Sequence, residues 1–202
     1  RVAEQGGRAV GTSAGGTPPA GQRTVRIIAM SDFHAALRPQ FDQSNNPVGG
    51  AVALSAAIRK AQAECVAPAC EHVVIDAGDL FPGTPASDWA GGRPTVDVVN
   101  RLDVAAGALG NHEFDFGQDT LRQRMRDLRH AVLGANVRGP DGQRPAWLRA
   151  DTIVQRGGVR IGIVGAAGTH TPETASRRKV GTLTFLDPLP IFAERARALR
   201  AA

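Results

Sequence analysis

The stretch ALGNHEFDFG (108–117) closes a small-residue apolar run, Val104–Leu109, and follows it at once with carboxamide, imidazole and carboxylate side chains. Asn111 and His112 serve no purpose in an apolar core, so the stretch reads as a strand that ends in a ligand-bearing loop. Working outward, the same arrangement occurs twice upstream. Val25–Met30 is apolar and β-prone and runs into Ser31-Asp32-Phe33-His34; His72–Asp76 (HVVID) runs into Ala77-Gly78-Asp79. Open α/β sheets gather ligands outside the carboxyl ends of their strands. Three such ends here deliver Asp32, His34, Asp79, Asn111 and His112. Asp32 and His34 stand two apart, so on an extended strand end they face the same side. Gly78 and Gly110 let the backbone turn tightly beside the ligands.

The segments between these strands carry helical spacing. Gly49–Ala63 is alanine-rich, Thr95–Leu102 places Val96, Val99 and Leu102 on one face, and Asp119–Arg129 is predicted to be capped by Asp119. Ala131–Ala135 reads as a further strand. Asp151–Gln155 and Val159–Val164 flank Gly157-Gly158, a hairpin signal. Asp187-Pro188 opens a last helix, with aspartate as N-cap and proline in the first turn. Strands alternating with helices define an α/β layered domain over residues 23–202. Residues 1–22 are rich in Gly, Ala, Thr, Ser and Pro without apolar periodicity and read as a flexible leader. The chain stops at Ala202, straight after a helix, where this architecture is expected to return to another strand; the domain is therefore expected to be incomplete at its C-terminus.

Composition narrows the function classes. Hydrophobic residues make up 42% and charged residues 21%, as in ordinary globular proteins. No apolar run is long enough to span a membrane. The net charge of +5 comes from arginine spread along the chain, with lysine only at Lys60 and Lys179. With 4% aromatics and no tyrosine there is no base-stacking platform, so nucleic acid is not the expected partner. Cys65 and Cys70 either close a small disulfide loop, which fits an oxidising compartment, or remain free thiols. Neither has metal-ligand company. Trp89 and Trp147 read as packing residues.

The polar set at the strand ends points to one kind of chemistry. Phosphoester hydrolysis needs charge neutralised on phosphoryl oxygens and hydroxide available at neutral pH. Two divalent metals about 3.5–4 Å apart do both. Carboxylate, imidazole and carboxamide ligands suit Zn²⁺, Mn²⁺ or Fe²⁺.

On SDFHAAL (31–37), VGGAVALSAAIRK (48–60), DAGDLFPGTPASDWAGGRP (76–94), ALGNHEFDFG (108–117), GANV (134–137) and FLDP (185–188), the chain resembles the calcineurin-like metallophosphoesterase superfamily, in its 5′-nucleotidase / UDP-sugar hydrolase branch. The resemblance implies an αββα-type sandwich and two divalent metal ions. Asp32 and His34 would bind the first metal, Asp79 would bridge both, and Asn111 would bind the second and contact phosphate. His112 would sit beside the scissile phosphate as the catalytic group, oriented by Asp115. The implied reaction is hydrolysis of a nucleoside monophosphate, a small-molecule substrate, to nucleoside and phosphate, in a periplasmic, secreted or cell-surface protein. Cyclic phosphodiesterase, UDP-sugar hydrolase and thiosulfohydrolase activities belong to the same branch, and an inactive metal- or nucleotide-binding fragment is the non-catalytic alternative. The chain departs from the family at Ala35, where glycine is usual, and at Pro82, where glutamine is usual. The family also supplies three further histidine ligands from later strand ends, and here only His72, His130 and His170 are left to consider.

Overall fold

The computed structural model describes residues 23–202; the predicted leader, residues 1–22, lies outside the described residues. In chain order come β1 (Thr24–Met30), β2 (Gln40–Phe41), β3 (Pro47–Val48), α1 (Gly50–Ala63) and β4 (Cys70–Asp76). They are followed by α2 (Pro85–Asp88), α3 (Arg93–Val99), β5 (Val104–Ala108), a 3-10 turn (His112–Phe114), α4 (Gln118–Asp127), β6 (Ala131–Leu133) and β7 (Val137–Arg138). The last third holds β8 (Asp151–Arg156), β9 (Val159–Val164), α5 (Thr171–Thr174), α6 (Arg177–Val180), β10 (Thr184–Phe185) and α7 (Pro188–Ala201).

The apolar strands β1, β4, β5 and β6 form one parallel sheet in that order. β1 and β4 stay in register from Thr24↔Cys70 to Met30↔Asp76. Ile28, Met30, Val74 and Val132 on one face of this sheet pack with Ile58 of α1, Val96 and Val99 of α3, and Leu121 of α4. The β8–β9 hairpin crosses the other face. Its start is bridged to β6 through Leu133↔Arg149, and its Gly157 turn lies against Glu71 of β4 and accepts a hydrogen bond from Arg23. Helix α7 covers the hairpin: Leu199 lies over Gly162, and Arg195 donates to Asp151 at 2.6 Å. The layers are thus helices, parallel sheet, hairpin and helix, the α/β sandwich order expected.

Several boundaries moved for local reasons. Helix α3 begins at Arg93, with Pro94 in its first turn, and ends at Val99. Asn100 then turns the chain, its side chain donating to Asp127 O at 2.9 Å and accepting from Arg129 N at 2.8 Å. Asp119 is not the cap of α4. The helix starts one residue earlier after Gly117, without a side-chain cap, and Asp119 pairs with Arg122 at 3.6 Å in solvent. β6 stops at Leu133 because Gly134 and Ala135 turn their N–H groups to Arg149 O and Gly165 O instead of continuing the ladder. Asp187 caps α7 as expected, accepting from Leu189 N at 3.0 Å. Cys65 and Cys70 are disulfide-bonded. Trp147 packs against the core and under Arg122, whereas Trp89 stands in solvent.

His130 is a core residue, buried and with no hydrogen-bond partner at Nε2. Burial lowers its pKa from 6.5 to about 4. The unfolded chain binds a proton there before the folded one does, so stability falls as pH drops from about 6.5 toward 4, and is retained above that range. That interval corresponds to roughly 3 kcal/mol at most. Urea unfolding at pH 7 and pH 4.5 should show a loss in the native chain that His130→Leu lacks. Equal losses in both proteins would show that His130 is not the group responsible.

Candidate metal centre

Parallel register brings the ends of β1, β4 and β5 to one edge of the sheet, and the loops beyond them are stitched together. Asp32 N–H donates to Gly78 O at 3.0 Å, His34 N–H to Asp79 O at 3.0 Å, and Ala35 N–H to Leu80 O at 2.8 Å. The third loop joins through His112 N–H, which donates to Asp79 Oδ1 at 2.9 Å. Gly110 makes this approach possible, because a Cβ there would lie 2.3 Å from Asp79 Oδ1.

Asp32, His34 and Asp79 converge, with one ligand atom from each lying within 4.8 Å of the others. Their convergence does not come from strand alternation, as the two-residue spacing suggested. β1 ends at Met30, and Asp32, His34 and Asp79 all adopt left-handed backbone, with φ of 53°, 45° and 59°. Such conformations cost about 1–3 kcal/mol each for non-glycine residues and persist where the surroundings enforce them. Here the loop-to-loop hydrogen bonds supply that enforcement. Ala35, with φ 48°, shares the conformation, which explains why glycine suits this position. Pro82 is equally tolerable, because its backbone carbonyl is the group used: it lies 3.1 Å from His34 Nδ1. That contact fixes the ring and leaves Nε2 on the side of Asp32, 3.9 Å from Oδ1.

His112 stands beside this group, its ring 4.8 Å from that of His34 and edge-on at 75°. Its Nδ1 is 2.7 Å from Asp115 Oδ2. A carboxylate at Nδ1 favours the tautomer with its proton there, leaving Nε2 to exchange protons with another molecule. Asn111 is half-buried between Gly110 and His112, at the start of the 3-10 turn. The remaining histidines lie elsewhere: His72 is within β4, His130 is in the core, and His170 pairs with Glu173 at 3.2 Å. Among the described residues none of the three joins the Asp32, His34 and Asp79 group.

Two carboxylates behind the loops were not singled out from the sequence. Glu113 is fully buried, and burial pushes its pKa up to about 8 against the opposing pull of the Leu80 and Asp79 N–H groups. Asp76, also buried, is pushed up to about 7, mainly by desolvation. Glu113 lay in plain view inside GNHEFDFG, but nothing in the one-letter pattern separates a buried carboxylate from an exposed one.

Two carboxylates and an imidazole, converging on a strained and cross-linked backbone, fit a divalent cation. No family model matches the chain. It is 32% identical to a protein named "Probable 5′-nucleotidase" from Treponema pallidum over 180 residues, covering 84% of this chain and 29% of that protein. The crystal structure of a 5′-nucleotidase precursor from Thermus thermophilus superposes with a TM-score of 0.75 at 31% identity, over 87% of this chain and 34% of that one. A calcineurin-like phosphoesterase from Bacillus subtilis shares the fold, with a TM-score of 0.71 at 23% identity over 87% of this chain and 57% of that one. The chain spans about a third of the length of the first two. It belongs to the metallophosphoesterase superfamily, whose members use divalent metals. Within that superfamily it falls in the 5′-nucleotidase branch, a branch of hydrolases.

Proposed function

We propose that residues 23–202 carry the front of the active site of a 5′-nucleotidase-like enzyme, which hydrolyses a nucleoside monophosphate to nucleoside and phosphate. The observation that carries this reading is the convergence of Asp32, His34 and Asp79 beside the His112–Asp115 pair. Asp32, His34, Asp79 and Asn111 would hold the cation pair, with Asn111 also placed to contact phosphate. When bound, two such cations neutralise the phosphoryl oxygens and make hydroxide available at neutral pH. His112 then donates its Nε2 proton to the departing nucleoside oxygen, and Asp115 holds the ring in the required tautomer and stabilises its charged form. The substrate is a small anionic nucleotide, and the chain's basic balance favours its approach. The Cys65–Cys70 disulfide supports a location outside the cytoplasm, in the periplasm, at the cell surface or secreted.

Phosphate release from AMP by protein loaded with Mn²⁺ or Zn²⁺ tests the reading. Chelation is expected to stop turnover and re-addition of the cation to restore it. His112→Ala is expected to keep its cations yet slow turnover by about 10²–10⁴-fold. Turnover that survives chelation would defeat the mechanism; loss of cations from His112→Ala would make His112 a ligand instead.

A further inference from the structure

The carboxylate of Glu113 binds two ligand loops at once. Its Oε2 accepts from Asp79 N–H at 3.0 Å and from Gly110 N–H at 2.7 Å, and its Oε1 accepts from Leu80 N–H at 2.7 Å. The first and third of these donors lie beyond β4, the second beyond β5. None of the three N–H groups has a backbone acceptor. Glu113 is 3% exposed, so water does not substitute for it. Gly110 again permits the approach, since a Cβ there would lie 2.6 Å from Oε2. Glu113 is not a member of the ligand group itself.

We infer that Glu113 is a positioning residue: it clamps the β4 and β5 tip loops to one another and so sets the spacing between Asp79 and Asn111. The functional half of this inference rests on the metal-centre reading proposed above; the clamp itself does not. The two side-chain oxygens of a glutamate offer lone pairs enough to accept from three donors. Glutamine has the same shape but turns one end into a donor, so at least one buried N–H must then face an NH₂ group. Leaving a buried donor unsatisfied is costly, and the cost is concentrated in these loops. Aspartate keeps both acceptor oxygens but is one methylene shorter and cannot span both loops.

The test uses amide hydrogen exchange by NMR on the metal-free chain, together with Mn²⁺ affinity by calorimetry, for the native protein, Glu113→Gln and Glu113→Asp. In the native chain the amides of Asp79, Leu80 and Gly110 are expected to be protected. In Glu113→Gln they should exchange roughly 10–100-fold faster while the β1–β4 ladder keeps its native rates. Mn²⁺ affinity should fall about 10–100-fold, as for other groups that orient a ligand from behind. Glu113→Asp should lie between the two, and it carries the test if Glu113→Gln does not fold. Unchanged rates at the three amides, or equal acceleration across the ladder, would overturn the clamp. Faster amides with native Mn²⁺ affinity would overturn the positioning role. A native chain that protects the three amides but binds no Mn²⁺ would uphold the clamp and sink the metal reading instead.

Discussion

Asp79→Ala is expected to lose cation binding by roughly a thousandfold or more, the largest functional effect of any single change at the site. Asp79 is hydrogen-bonded to both of the other loops. Its carbonyl accepts from His34 N–H at 3.0 Å, its Oδ1 accepts from His112 N–H at 2.9 Å, and its own N–H donates to Glu113. Removing the carboxylate deletes one member of the proposed cation site and also releases the third loop, so Asn111 and His112 lose their reference point. Alanine must in addition hold φ near 59°, which aspartate and asparagine tolerate better. Asp79→Asn separates these effects. It keeps an oxygen for His112 N–H and a residue suited to left-handed backbone, and it replaces the other oxygen with an uncharged NH₂. Both variants should fail to bind Mn²⁺ in calorimetric titration. Alanine alone should lower stability to urea, by about 1–2 kcal/mol. Native Mn²⁺ affinity in Asp79→Ala would place the cation elsewhere.

The elements, and the meeting of Asp32, His34 and Asp79 at their ends, were readable because each strand rests on a local rule. Apolar β-prone runs at 25–30, 72–76 and 104–109 announced the strands, and parallel pairing of strands joined by helices then forces their ends to one edge. What could not be read was backbone strain and depth. Spacing alone suggested that Asp32 and His34 share a side of an extended chain. In fact both lie beyond β1 in left-handed backbone, a conformation set by hydrogen bonds to Gly78 and Asp79 that are about 45 positions away in sequence. Asp119 looked like a cap because it sits where a helical pattern starts, yet the preceding Gly117 makes the turn and Asp119 is left in solvent. Glu113 and Asp76 are ordinary acidic letters until the fold buries them. His130, unassigned from sequence, became a core residue for the same reason.

Gly83→Ala is expected to be the most destabilising small substitution near the site, for a reason that has nothing to do with backbone conformation. A Cβ on Gly83 would lie 1.6 Å from His34 O and 2.5 Å from His34 C. Both are backbone atoms, so no side-chain rotation relieves the overlap, and either the Phe81–Thr84 segment or the His34 turn must move. The His34 turn is already held in left-handed backbone, and its ring is fixed by Pro82 O at 3.1 Å. Displacing it pulls the imidazole away from Asp32 and Asp79. Overpacking of this kind costs about 3 kcal/mol or more. Gly49→Ala is the matched control: its φ is +70°, but nothing lies within 4 Å of the added methyl. It should therefore show only the conformational penalty of its positive-φ, glycine-type backbone, about 1–3 kcal/mol, with native Mn²⁺ affinity. Gly83→Ala should show the larger loss in urea unfolding together with weakened Mn²⁺ binding. If Gly83→Ala stays within 1 kcal/mol of native stability and keeps its affinity, then the Pro82–Gly83 segment does not press on His34, and the ligand is held by the hydrogen bonds of its own loop alone.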